Sequence, residues 1–272
     1  MTFDFRLVVF DIDGTLENSH HEVSPYTRSI IQRAQKAGLI VSLATGKTLP
    51  AVQSLAQQLQ LTHPLVLGNG SLLQSPHGDL LHASVFPRQT VERVLQLAGN
   101  FEVDICVFTT QMMYVQNLTP GIHAMLAFGA PFPREIRDWS MMGADVDRVV
   151  KIVLINLGGA PALAPLVHAL DSRLGDEVSH FPSQPFIHEV LPPGEDKGRG
   201  VKRLADALGI EMQYILAFGD GDNDAVVLKL AGLGVAVANA SALCKSSADV
   251  IVDSNDRDGP ARFLEGFLKT RL

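Results

Sequence analysis

Leu7-Val8-Val9-Phe10-Asp11-Ile12-Asp13-Gly14-Thr15 is an apolar run that ends in two carboxylates separated by one residue. A short apolar run bounded by glycine reads as a strand buried on both faces, as in a parallel sheet. Asp11 then stands at the carboxyl end of that strand, the edge at which open α/β sheets bind their ligands. A carboxylate placed there can attack phosphorus, hold a divalent cation or pass a proton to a leaving group. An ordinary turn after a strand has the same composition, so the motif takes its meaning from the rest of the chain.

Outward from this strand the order is strand, helix, strand. Ser24-Pro25 reads as an N-cap with proline in the first turn, Ile30, Ile31 and Ala34 give a helical apolar stripe, and Gly38 ends it. The run 39–44 leads to Thr45-Gly46, a helix is expected over 49–59, and Leu65-Val66-Leu67 ends at Gly68-Asn69-Gly70. Right-handed crossovers of this kind make a parallel sheet covered on both faces, with the polar tips Asp11, Thr45 and Asn69 on one edge. Residues 71–86 read as two short strands around Pro76-His77-Gly78.

The pattern then changes. A helix near 89–98, the alternation Val103, Ile105, Val107, a loop over 130–140, the strand 149–155 and a helix near 161–174 are expected to form an inserted α+β domain over 87–186. The α/β pattern resumes with a helix over 197–208, the strand 214–218, Gly219-Asp220, a helix near 223–231, runs at 234–237 and 249–252, and a last helix over 260–270. One core domain, 1–86 with 187–272, interrupted by an insertion, fits this order.

Composition narrows the class. The 272 residues are 46% hydrophobic and 19% charged, as in a globular protein. No run approaches the roughly 18 apolar residues of a membrane span, and the N-terminal residues lack a signal-peptide pattern, so a cytoplasmic protein with no membrane partner is expected. A formal charge of −7 disfavours a nucleic-acid partner but not a small anionic substrate. Cys106 and Cys244 make no disulfide framework and no Cys-x-x-Cys pair, and read as buried small residues. No heptads point to a coiled coil, which leaves a monomer or a homodimer.

Four separated segments place polar residues at the same expected edge: Asp11 with Asp13, Thr45, Lys197, and Asp220 with Asn223 and Asp224. Phosphoryl transfer needs this mixture, because a phosphate dianion repels a bare aspartate unless its charge is neutralised. Lys197 supplies one cation, and the hard oxygen ligands call for Mg²⁺ as another. The Thr45 hydroxyl and the amides of Gly14, Thr15 and Gly46 can donate to phosphoryl oxygens.

With these residues in place the chain resembles haloacid-dehalogenase-superfamily phosphatases, and among them the Cof-type group with a C2B cap. The motifs are Asp11-Ile12-Asp13-Gly14-Thr15-Leu16, Ala44-Thr45-Gly46, Asn69-Gly70, Lys197-Gly198 and 218–224, with further likeness at 234–240 and 254–259. The resemblance implies a Rossmann-like parallel-sheet core and an α+β cap that closes over its edge. It implies that Asp11 is the nucleophile and that Asp13 is the acid and base. Asp11, the main-chain carbonyl of Asp13, and Asp220 would hold Mg²⁺. Thr45, Gly46 and Lys197 would hold the phosphoryl group, Asn223 would contact it or the substrate, and Asp224 would stand behind the metal and the lysine. The substrate would be a small phosphorylated metabolite, a sugar phosphate first, with pyridoxal phosphate or a flavin-pathway phosphate next. A phosphomutase and a silent phosphometabolite-binding regulator are the alternative readings.

Two residues depart from the group's pattern: Lys47 stands where many members carry Arg, and Glu17 where an apolar residue is usual. Outside the motifs the ordinary readings hold. Arg134 and Arg137, near Phe132 and Trp139, read as surface loop before a substrate grip. His20, His21, His180 and His188 read as structural or solvated. Lys151 reads either as facing the core entrance or as a solvated or salt-bridged strand lysine, and Glu189 as structural or part of cap closure.

Overall fold

The protein, a computed structural model that describes residues 4–127 and 129–271, divides at 81/82 and 196/197 into a core unit and an inserted unit. In chain order the core contributes β1 (Leu7–Phe10), α1 (Pro25–Lys36), β2 (Ile40–Leu43), α2 (Leu49–Gln58), β3 (Leu65–Leu67) and β4 (Leu72–Gln74). The strand β5 (Leu80–Ala83) crosses the division. The inserted unit holds α3 (Arg88–Ala98), β6 (Asp104–Thr109), β7 (Met113–Val115), α4 (Pro120–Ala127), β8 (Arg134–Glu135), β9 (Val149–Ile155), α5 (Ala160–Arg173), β10 (Ser179–Gln184) and β11 (Ile187–Leu191). The core resumes with α6 (Lys197–Leu208), β12 (Ile215–Gly219), α7 (Ala225–Leu230), β13 (Leu233–Val237), α8 (Ala242–Ser247), β14 (Val250–Val252) and α9 (Gly259–Arg271).

The core sheet is parallel throughout, in the order β14-β13-β12-β1-β2. Its central strands are apolar on both sides because both sides are covered. Leu7, Val9, Ile215 and Ala217 pack with residues of α6, α7 and α8, while the Phe10 and Phe218 rings stack at 4.8 Å and Phe263 of α9 meets Phe218 edge-on. The N-terminus of α1 is capped as its sequence requires: Thr27 N donates to Ser24 Oγ at 3.0 Å and Pro25 occupies the first helical position. Gly38 follows that helix at φ +85°, a left-handed conformation suited to glycine. β3 joins the sheet only through a bridge between Ala44 and Val66 and otherwise belongs to a small sheet with β4 and β5. Parallel order puts the ends of β1, β2 and β12, and hence Asp11, Thr45 and Asp220, on one edge.

The inserted unit is built on a six-stranded sheet ordered β10-β11-β9-β6-β7-β8, with α3 and α5 packed in one apolar cluster against it. Val107, Ile152 and Leu154 lie in that cluster, and Val103 and Ile105 pack against it, which is the face the alternation at 103–107 marked. The division differs from the one expected at 86/87 and 186/187. Ile187–Leu191 pairs with both β9 and β10, so this buried run closes the inserted sheet before the chain returns to the core. On the other side Phe86 N donates to Val149 O, and the Phe86 ring is part of the inserted unit's cluster. The loop expected over 130–140 contains the short β8, and Trp139 packs on the cluster.

A chain of polar groups crosses β10 and β11. In it His180 Nδ1 and His188 Nε2 share a hydrogen bond at 2.8 Å, and His180 Nε2 faces Asp171 Oδ1 at 3.2 Å. Burial, then the neighbouring His180, pushes the His188 pKa down to about 4. The unfolded chain takes a proton near 6.5, so unfolding becomes easier as pH falls from 6.5 towards about 4. Trp139 is the sole tryptophan and reports on this unit. Urea unfolding followed by its fluorescence should show a lower midpoint at about pH 5 than at about pH 7, and His188→Gln should flatten that difference.

Candidate active site

Asp11 follows β1 directly, and its N–H donates to Phe218 O at 3.0 Å, which fixes it beside β12. Lys197, the first residue of α6, is buried, and its Nζ donates to Asp11 Oδ1 at 2.8 Å and to Asp224 Oδ1 at 2.5 Å. Close backbone approach puts it there. A Cβ on Gly200 would lie 2.5 Å from Gly70 Cα, so only glycine lets α6 rest on the turn that ends β3. The other oxygen of Asp224 accepts from Asp220 N at 3.1 Å and Gly221 N at 2.9 Å, holding the turn after β12. Thr15 Oγ1 donates to Asp220 Oδ1 at 2.6 Å. Gly14, at φ +78°, presses so close that a Cβ would stand 2.5 Å from Asp220 Oδ2.

Carboxylate oxygens of Asp11, Asp220 and Asp224 thus lie within 4.8 Å of one another, with one ammonium among them. Burial alone would lower the Lys197 pKa, but Asp11 and Asp224 outweigh it and hold the ammonium well above its ordinary range. Burial, with Asp224 and Asp220 adding to it, drives the Asp11 pKa well up against the pull of Lys197. Burial likewise pushes Asp220 up to about 6, against the hydrogen bond from Thr15. Among the described residues, three acids against one base leave an excess of negative charge in a largely buried site. Such a donor set fits a hard divalent cation.

The other expected site residues surround this cluster in the core unit. Thr45 is buried after β2, its N–H donating to Val66 O and its hydroxyl accepting from Lys47 N at 3.1 Å. Gly46 follows it, and a Cβ there would stand 2.8 Å from Asn69 Nδ2. Asn223 Nδ2 donates to Asn69 Oδ1 at 2.9 Å, tying the turn after β12 to the tip of β3. The Asp13 carboxylate groups with Glu17 and His21 and accepts from Lys47 Nζ at 2.7 Å. Lys47 and Glu17, which stood out in the sequence only as departures, are therefore neighbours of Asp13. Their oddity was the signal, and only the fold gives it a location.

Residues set aside in the sequence fall elsewhere. Lys151 and Glu189 form a buried pair at 3.1 Å in the inserted sheet, with the ammonium 4.8 Å from the Phe108 ring centre. The salt-bridged reading of Lys151 is thus the one that holds. Arg134 is exposed on β8, and Phe132 is largely exposed. Cys106 and Cys244 are free and buried, and burial pushes both thiols up to about 12. No helix among the described residues is long and apolar enough to cross a membrane.

A parallel α/β core with an acid cluster and a buried lysine at its carboxyl edge defines a class of enzyme. The chain matches the haloacid dehalogenase-like hydrolase family over residues 8–264 and belongs to that family. It is similar to the 5-amino-6-(5-phospho-D-ribitylamino)uracil phosphatase YcsE of Bacillus subtilis, with 28% identity over 96% of this chain and 95% of that protein. With the HMP-PP phosphatase of Cronobacter sakazakii it shares 32% identity over 86% of this chain and 85% of the other. Among solved structures, a haloacid dehalogenase-like hydrolase from Bacteroides thetaiotaomicron superposes with a TM-score of 0.86 at 28% identity, covering 96% of this chain and 99% of that one.

Proposed function

We propose that the protein is a phosphatase of small phosphorylated metabolites that works through a phosphoryl group carried on Asp11. One observation carries this reading: Asp11 is held by Lys197 at 2.8 Å beside Asp220 and Asp224, at the carboxyl edge of a parallel sheet. Asp11, Asp220 and the main-chain carbonyl of Asp13 would hold Mg²⁺, with Asp224 behind them. The ion would draw charge from the phosphoryl oxygens and keep Asp11 ionised.

In the first half-reaction an Asp11 oxygen bonds to phosphorus, the bond from phosphorus to the leaving oxygen breaks, and Asp13 gives that oxygen its proton. In the second, Asp13 takes a proton from water, the water oxygen bonds to phosphorus, and the Asp11–phosphorus bond breaks to free inorganic phosphate. Asp13 ends protonated, as it began. Thr45, Gly46 and Lys197 steady the phosphoryl oxygens in both halves, and Asn223 orients the ester. With a divalent cation held there, the excess negative charge of the three acids would be offset, so that a dianionic monoester would not be repelled.

The activity for which one relative is named, on 5-amino-6-(5-phospho-D-ribitylamino)uracil, supports a ribityl phosphate beside the sugar phosphates as a substrate to test. Phosphate release should be measured from a panel of sugar phosphates, pyridoxal phosphate and 5-amino-6-(5-phospho-D-ribitylamino)uracil, in Mg²⁺ and in EDTA. Release that requires Mg²⁺ is the expected result. Isomerised product without phosphate release would replace the phosphatase reading with a mutase.

A further inference from the structure

Glu17 stands beside the Asp13–Lys47 pair, outside the acid cluster. Lys47 Nζ lies 2.7 Å from Asp13 Oδ1 and 3.9 Å from Glu17 Oε2, and the Glu17 side chain is only 13% exposed. This carboxylate is presented by a fixed backbone. Glu17 N donates to Ile12 O at 2.9 Å, and Glu17 O accepts from Asn255 Nδ2 at 2.8 Å. The turn after it is closed by Asn18, whose Oδ1 accepts from His20 N and Glu22 N, and is tied to the core by Ser19 N donating to Asp256 Oδ1 at 2.7 Å. His21 Nδ1 stands 4.0 Å from both Asp13 and Glu17 and closes the outer side of the group.

Lys47 is a point charge on a flexible stem, two residues beyond Thr45, where the phosphoryl group is to be held. With Asp13 as its sole anchor, its ammonium would be drawn to an arriving phosphate dianion. We infer that Glu17 is a positioning residue: it keeps Lys47 on Oδ1 of Asp13, so that Oδ2 remains the oxygen that exchanges a proton with the leaving group and with water. Glu17 touches no reacting atom and acts through Lys47. The inference rests on the phosphatase reading and adds to it a residue that no shared motif contains.

Steady-state kinetics on the full chain in Mg²⁺ test it, with the best ester of the panel and with native protein, Glu17→Gln, Glu17→Asp, Lys47→Met and the double variant Glu17→Gln/Lys47→Met. Glu17→Gln should lower kcat about tenfold, a part of the 10²–10⁴ that acid–base catalysis contributes, while KM stays level or falls as Lys47 is released to the phosphate. Glu17→Asp, which keeps the charge, should recover most of kcat. The double variant should be no slower than Lys47→Met alone, because the two side chains act as one unit. A kcat unchanged in Glu17→Gln, or a full further loss in the Lys47→Met background, overturns the role while native turnover leaves the phosphatase reading standing. A native protein that releases no phosphate brings down both. A thermal midpoint near native for Glu17→Gln separates lost positioning from lost folding.

Discussion

Asp11→Asn should abolish phosphate release, by on the order of 10⁴-fold or more, without loosening the fold. A carboxamide is neutral and a poor nucleophile, and nothing else at this edge replaces it as the group attacking phosphorus. The stability side carries the diagnostic sign. In the metal-free site Asp11 is pressed by burial and by the carboxylates of Asp224 and Asp220, more than Lys197 relieves. Removing its charge relieves that pressure, so the thermal midpoint of metal-free Asp11→Asn should equal or exceed that of the native protein. Loss of turnover with retained or raised stability marks a residue kept for chemistry.

Lys197→Met should also stop turnover, but with the opposite effect on stability. Among the described residues, Lys197 is the cation that donates to both Asp11 and Asp224, and it is buried with them. Breaking a buried ion pair from one side typically costs about 3–5 kcal/mol, because the remaining charge has no partner and no water. The orphaned carboxylates can escape part of that cost by taking up a proton. Their pKa values would then lie above those of the unfolded chain, and stability gained from bound protons is present at low pH and lost as pH rises. The variant should therefore unfold at lower urea than native, and the gap should widen from about pH 6 to about pH 8. Equal stability at both pH values would show that Lys197 is not the charge on which this cluster depends.

Much of this site could be read from the chain because its parts are local. The strand ends, the Asp11-x-Asp13 spacing and the Gly219-Asp220 turn are short-range patterns, and parallel order brings their tips to one edge without further information. Partner choice was not legible in that way. Ile187–Leu191 is fully buried, and periodicity does not say that it pairs with β9 and β10. The elements β7 and α4 are too short for a clear period. The contact of Lys47 with Asp13 and that of Lys151 with Glu189 each join residues more than thirty apart, and depend on where two long side chains point once the fold is made.

The central claim is that the phosphoryl group passes through Asp11. Native protein turning over its best ester in Mg²⁺ should be quenched in acid at a series of short times, digested with an acid-active protease and examined by mass spectrometry. A phosphoryl adduct on the peptide that contains Asp11, removed by hydroxylamine and absent from Asp11→Asn, is the result expected. Turnover with no adduct at any quench time, or an adduct on a different residue, would contradict the account.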